Sequence, residues 1–159
     1  MARHAPFHIQ RGAATIEFAL LFLPLFILIT GVVEGGRALY EYNTLAKSVR
    51  DAVRYQTTVA PSGSASDTLV ARCLALTGSP ALSGDGCRED PLLPRLELSM
   101  VSICDQISCA ASHRFQPTGR GVVNLVSVTV SNYPFVSMVP FVMPSITFGP
   151  VNATMVQPL

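Results

Sequence analysis

The stretch RGAATIEFALLFLPLFILITGVVEGGR, Arg11 to Arg37, decides how this chain is read. Between Arg11 and Glu34 it holds one ionisable residue, Glu17. Ala13 to Val33 is 21 residues, which as a helix spans about 31 Å, close to the hydrocarbon thickness of a bilayer. The core from Phe18 to Ile29 is almost entirely Leu, Phe and Ile, so the segment reads as a transmembrane helix. Pro24 removes one backbone bond and predicts a bend near Leu20, which a membrane helix tolerates as a simple kink. A central acid costs roughly +2.5 to +3.5 kcal/mol on insertion scales and less near an interface. Glu17 therefore needs a reason.

Composition agrees with a chain that lives partly outside water. It is 49% hydrophobic and 13% charged, against about a quarter charged in soluble domains. Eleven basic and ten acidic side chains give a formal charge of +1, with no basic surplus for a nucleic-acid footprint. Arg3 and Arg11 precede the apolar run, with His4 and His8 between them, whereas Glu34, Arg37 and Glu41 beyond it give no basic excess. The positive-inside rule puts the N-terminus in the cytoplasm and the rest outside. A cleaved signal peptide is the rival, but Thr30 to Gly36 makes a poor cleavage site and leaves Glu17 unexplained.

From Ala38 to Val53, Leu39, Tyr42, Leu45, Ala46, Val49 and Val53 recur at helical spacing. Charges at Glu41, Lys47, Arg50, Asp51 and Arg54 interleave. One helix is expected from about Ala13 to about Thr57, apolar at first and amphipathic later. The pair Gly35-Gly36 weakens it by about 1 kcal/mol per glycine relative to alanine and reads either as a flexible point or as a face for close packing. Pro61 to Ser66 ends the helix as a loop. Asp67 is a candidate cap for a short helix over Thr68–Leu76, and Asp85-Gly86 signals a turn in a Gly-, Pro- and Ser-rich stretch.

Strand signals come next. Leu96, Leu98 and Met100 alternate with polar residues. Asn124–Ser131 places Val126, Val128 and Val130 on one face, and Ser145–Met155 is a third candidate interrupted by Gly149-Pro150. Gly119-Arg120-Gly121 is expected to link the first two strands. Pro134, Pro140 and Pro144 argue against regular structure up to Ser145. The apolar residues among them either cover the sheet or present a contact surface. The fold class expected is α+β: a long N-terminal transmembrane and amphipathic helix, then a small antiparallel sheet domain with loops.

Cys73, Cys87, Cys104 and Cys109 all follow the apolar run. An even count in an exported segment reads as disulfides. Cys73–Cys87 and Cys104–Cys109 are favoured because both close local loops. A four-thiolate zinc site fits the spacing poorly, there being no C-x-x-C. His113 stands alone in a polar stretch and is read as solvated. Asp85, Glu89 and Asp90 read as a solvated face. Gly119-Arg120-Gly121 is not a phosphate loop, and Asn152-Ala153-Thr154 is a chance match to a glycosylation sequon. No metal site, cofactor, nucleic-acid partner or small-molecule substrate is indicated, and no constellation supports an enzyme.

Gly12, a short linker, Glu17 and Phe18, followed by an apolar helix, resemble a prepilin processing site. Gly31-Val32-Val33-Glu34-Gly35-Gly36-Arg37-Ala38-Leu39-Tyr40 and NTLAKSVRDAVRY (43–55) resemble TadE-like proteins, the minor pilins or pseudopilins of the tight-adherence (Flp) pilus system. The strong resemblance covers roughly residues 10–56; beyond that it is loose, through a late strand ending in Tyr133-Pro134-Phe135. The residue after the glutamate is Phe18, where the system's major pilin typically has tyrosine.

The resemblance implies a leader over 1–12 cut by a prepilin peptidase between Gly12 and Ala13, a transmembrane helix over 13–33, an amphipathic continuation over 34–57 and a periplasmic domain over 58–159. The protein would be a single-pass inner-membrane protein whose partners are the bilayer, the peptidase, other pilins and the secretion machinery. Whether it primes, caps or regulates a filament is left open. The new amine of Ala13 would lie on the helix face of Glu17. That carboxylate would pair with it, or with a neighbour's, and Phe18 would share the assembly role. Otherwise Glu17 is an interfacial acid that snorkels to the cytoplasmic face. The alternative to a pilin is an anchored periplasmic binding module outside any filament.

Overall fold

The computed structural model describes residues 12–60 and 65–157. Residues 1–11, which hold Arg3, His4, His8 and Arg11 and most of the expected leader, residues 61–64, where a loop was expected, and residues 158–159 lie outside the described residues. Helix α1 runs unbroken from Ala13 to Gln56, through Pro24 and through Gly35-Gly36, for about 66 Å at 1.5 Å per residue. From Ala13 to Val33 its side chains pack against almost nothing, and Phe18, Phe22 and Phe26 stack along one side. From Glu34 onward it docks on the rest of the chain.

Helix α2 (Ala65–Thr77) lies beside α1. It starts before the expected Asp67 cap, which instead sits in the first turn, where a carboxylate complements the helix dipole. Gly78, at φ +74, ends α2 by returning its N–H to the Leu74 carbonyl, a left-handed cap that favours glycine. Strands β1 (Leu82–Ser83) and β2 (Gly86–Cys87) form a small hairpin that turns at Gly84-Asp85. Cys87 is bonded to Cys73 of α2. Closing a loop of that size is worth about 3 kcal/mol by the chain-entropy argument.

The main sheet is antiparallel and centred on β5 (Gly121–Val130). Strand β3 (Val101–Cys104) pairs with Ser127–Val130, β8 (Val151–Gln157) pairs along Asn124–Val130, and β4 (Gln116–Thr118) pairs with Gly121–Val123. The expected strand over Leu96–Met100 is displaced. Leu98–Met100 is a turn of 3₁₀ helix and the strand begins at Val101; apolar alternation alone did not distinguish a strand from the turn leading into it. Gly119-Arg120 is the turn of the β4–β5 hairpin, not a link from β3, with Gly121 at φ +137. Helix α3 (Ala110–His113) and the bond Cys104–Cys109 fill the β3–β4 connection. Strands β6 (Pro134–Phe135) and β7 (Ile146–Thr147) pair at the base of the proline-rich loop, so that loop carries a short piece of regular structure after all.

The core lies between the sheet and both long helices. Val126, Val128 and Val130 of β5 meet Leu45, Val49, Ala52 and Val53 of α1 and Ala75 and Leu76 of α2. Each fully buried valine or leucine contributes roughly 1.5 to 3 kcal/mol. At the far end, the Gln157 side-chain amide donates to the carbonyls of Gln56 and Val59, satisfying a helix terminus that lacks its own donors. The architecture is the expected long helix followed by a small antiparallel sheet domain.

The face of α1 that docks is only in part the one the apolar spacing indicated. Leu45, Ala46, Val49 and Val53 lie in or against the core, but Leu39 is 64% exposed and Tyr42 is half exposed. In their place Glu34, Ala38, Glu41 and Ser48 are buried. The face rotates because the domain offers hydrogen-bond donors there, and a carboxylate that finds donors tolerates burial.

Leu45→Ala should cost about 2 to 5 kcal/mol, since Leu45 is fully buried and the cavity cannot collapse between two layers. Thermal unfolding of the detergent-solubilised chain would read this directly. Mass mapping without reductant should recover Cys73–Cys87 and Cys104–Cys109 peptides and no free thiol; four free thiols would contradict the pairing.

Candidate functional site

Where the apolar half of α1 meets the domain, three charged residues occupy one helix face. Glu34, Arg37 and Glu41 stand at spacings of three and four, the distances at which helical side chains meet. Arg37 donates from Nη2 to Glu34 Oε2 at 2.9 Å and from Nη1 to Glu41 Oε1 at 3.2 Å. Glu34 is only 3% exposed. Its Oε1 accepts the backbone N–H of Met138 at 2.6 Å and of Val139 at 3.2 Å. Arg37 Nη2 also donates to the Val136 carbonyl at 2.6 Å. One carboxylate and one guanidinium thus clamp the loop at three positions, Val136, Met138 and Val139.

Arg37 makes a further contact. Its guanidinium carbon lies 4.4 Å from the centroid of the Phe135 ring, in range of a cation–π attraction. Phe135 stacks on Phe148, which also meets Tyr133 and the edge of Tyr42. Tyr42 therefore covers an aromatic cluster from the solvent side. Tyr133 is 1% exposed. Its hydroxyl lies 2.8 Å from Glu41 Oε2 and 2.9 Å from the Pro94 carbonyl. A phenol carries one proton, which these two acceptors share. The helix is thus tied to the loop after β5 at Glu34, Arg37 and Glu41 together.

The electrostatics follow from these contacts. Burial alone would raise the Glu34 carboxyl, but the hydrogen bond from Arg37, the Met138 N–H, the Arg37 charge and the Val139 N–H together hold it below the ordinary value. Burial raises the Tyr133 phenol well above its usual range, and the hydrogen bond and charge of Glu41 add to this, outweighing Arg95 and Arg37. Both groups keep the protonation states that the clamp requires, an anion and a neutral phenol.

At the other end of α1, Gly12 is the N-cap residue and supplies no side-chain cap; its carbonyl accepts the Ile16 N–H at 3.3 Å. Ala13 opens the helix. Glu17 and Phe18 are exposed on its first turns, and Glu17 makes no ion pair among the described residues. Ala13 and Glu17 are one helical turn apart and exposed, with nothing among the described residues shown packed over them. A Cβ built on Gly35 or Gly36 meets no atom within 4 Å, so the Gly-Gly face is not packed on this chain.

His113 is not a solvated loop residue. It ends α3, with Nε2 2.8 Å from Ser127 Oγ and Nδ1 2.8 Å from Ser112 Oγ. The chain Ser112–His113–Ser127 joins α3 to β5. A nucleophile–base–acid relay would have a carboxylate on Nδ1, and here that place is held by a serine. No group of three or more metal-ligating side chains occurs among the described residues. An open cleft of about 540 Å³ runs between α1 and the Gly78–Leu92 stretch, lined by Tyr40, Lys47 and Asp51 among others. Its polar lining, Asn43, Thr44, Lys47, Ser48 and Asp51, lies along one side of α1.

Sequence reasoning picked out Glu34 and Arg37 as part of a motif and Tyr133-Pro134-Phe135 as a second one. It did not bring the two together. Their contacts span about a hundred residues, and no local pattern in either motif points to the other.

The family model described as TadE, TadE-like protein, matches residues 12–54. The match begins at the N-cap glycine, takes in the whole apolar half of α1 and the Glu34–Arg37–Glu41 face, and ends near the helix C-terminus. No curated protein and no solved structure matches the chain.

Tyr133→Phe should destabilise the domain by about 1 to 3 kcal/mol, the usual cost of leaving a buried acceptor without its donor. Arg37→Ala should release the loop, seen as faster amide exchange at Met138 and Val139. The pH dependence has a definite sign. Because the Glu34 carboxyl is depressed in the folded chain, its stabilising contribution is full above the ordinary glutamate value and is lost as pH falls through the folded value. Protection factors at those two amides should fall on acidification, and Glu34→Gln should remove that dependence.

Proposed function

We propose that this chain is a minor pilin or pseudopilin that takes part in assembling a tight-adherence (Flp) pilus. The TadE-like match associates it with that system, whose TadE-like members are pilus-associated structural proteins and not enzymes. The observation that carries the reading is α1 itself. The helix begins at Ala13, immediately after Gly12, and the 21 residues Ala13–Val33 carry Glu17 as their one ionisable group and are exposed except at Thr30 and Gly31. It is long and apolar enough to cross a membrane. A prepilin peptidase would cut between Gly12 and Ala13 on the cytoplasmic side of the inner membrane. The domain after α1 would then stand in the periplasm, where its two disulfides are chemically at home.

In this reading Glu17 waits for an amine that exists only after cleavage. A carboxylate and an ammonium one turn apart, or on neighbouring subunits, lower each other's cost near hydrocarbon. The uncovered apolar half of α1, with Phe18 on its first turns and Gly35-Gly36 free of intramolecular contact, suits lateral packing with other pilin helices. The competing reading, an anchored periplasmic binding module, uses the same helix only as a tether and keeps the residues before Gly12.

Intact-mass and N-terminal analysis of the protein from its native host separates the two. A chain beginning at Ala13 is expected, and a chain retaining its N-terminus would sink the pilin reading. Glu17→Ala should leave cleavage largely intact and reduce recovery in the pilus complex. Piliation equal to wild type in that variant would instead favour a carboxylate that simply snorkels to the interface.

A further inference from the structure

From Gly121 to the end, 39 residues, the chain has no Asp, Glu, Lys, Arg or His. The most exposed apolar side chains of this stretch lie together on the loop between β6 and β7. Met138 is 76% and Phe141 is 75% exposed, with Val136 partly so. Exposed apolar groups of that size, gathered in one loop and free of charge, mark a contact surface.

The loop's position on α1 identifies the partner. Its contacts descend the helix in order: the Val136 carbonyl meets Arg37, the Met138 and Val139 amides meet Glu34, and Val142 packs 3.5 Å from a Cβ built at Gly31. Six residues of helix correspond to about 9 Å, travelled toward the apolar half of α1. Val142 therefore reaches the last turn of the segment read as spanning the bilayer. The tip holds its own shape. Val139 carbonyl accepts the N–H groups of Val142 and Met143, and Ser145 Oγ accepts the Ser137 N–H across the base. A preformed apolar tip is thus held at the level where hydrocarbon gives way to water.

We infer that the Val136–Met143 loop is a second, shallow membrane contact, with Met138 and Phe141 seated in the interfacial layer of the outer leaflet beside α1. The inference rests on the span over 13–33. Apolar side chains beside an anchoring helix leave water for the acyl boundary without any further search for the surface. The Glu34–Arg37 clamp sets the angle between the domain and the helix. The loop then sets the domain's height above the bilayer. Extraction of the helix from the membrane would have to withdraw both.

The chain contains no tryptophan, so a single introduced one is an unambiguous probe. Full-length Phe141→Trp and Met138→Trp variants would each be reconstituted in phosphatidylethanolamine–phosphatidylglycerol vesicles containing lipids brominated at shallow or deep acyl positions. Val156→Trp, on an exposed strand position near the Gln56 end of α1, serves as the distant control. Phe22→Trp, within the span, serves as the deep one. The expected result is blue-shifted emission at positions 141 and 138, most of it lost with shallow bromines, none lost at 156, and loss with deep bromines at 22. Emission at 141 and 138 that stays water-like and unquenched, with position 22 quenched, overturns the loop contact and leaves the span intact. An unquenched position 22 overturns the span reading and this inference with it. Blue-shifted emission at 141 that resists bromine and depends on protein concentration overturns it in favour of a protein–protein surface.

Discussion

The structure depends on buried carboxylates that have found donors. Glu34 and Glu41 lie on the docked face of a helix whose other half is nearly free of charge. Left alone, each would cost more to bury than a leucine in its place would gain. Arg37 sits between them and bonds both, while backbone amides of a distant loop and a buried tyrosine satisfy the remaining oxygens. Such pairs add little net stability compared with apolar packing, but they are directional. They specify which residues of the helix face which residues of the loop, where valine against valine would tolerate sliding.

That directionality matters because α1 belongs to two environments. Its first half is complementary to lipid or to other apolar helices. Its second half is complementary to one particular sheet. The clamp lies at the boundary, within a residue or two of the last apolar turn. Any force on the apolar half reaches the domain there, through a joint made of ion pairs, a cation–π contact and an aromatic stack. Below the joint little among the described residues packs on the helix beyond Val142 at Gly31, and above it the two disulfides stiffen the loop-rich parts of the domain. The joint also explains why glycine is acceptable at Gly35 and Gly36: those positions point away from the docked face, and their side chains would touch nothing here.

Much of the outline was legible in residues read singly. A run of 21 residues with one charge among them, Glu17, does not read as a surface helix of a small soluble domain. Valine alternation over Val126, Val128 and Val130 picked out the central strand because its faces differ strongly. The strand expected at Leu96–Met100 failed because a 3₁₀ turn can show the same alternation over five residues. The helix face failed for a different reason. Leu39 and Tyr42 are more apolar than Glu34 and Glu41, so periodicity ranked them inside. The ranking reverses only when donors from the segment after β5, the Tyr133 hydroxyl and the Met138 and Val139 amides, are present. His113 was read as solvated because its partner Ser127 is fourteen residues away and carries no signal of its own.

The sequence by itself determined the long helix, its apolar half, the pairing expected of the four cysteines and the spacing of Gly12, Glu17 and Phe18. These depend on composition and on neighbours within a turn or two, where local chemistry governs the outcome. Only the tertiary structure decided that the Glu-Gly-Gly-Arg segment and the Tyr-Pro-Phe segment meet, which side of α1 is buried, and where the uncharged loop comes to rest. Those outcomes rest on hydrogen bonds between groups about a hundred residues apart. The physical reason is that a buried charge is tolerable only beside a specific partner, and no stretch of sequence shows its partner until the chain has folded.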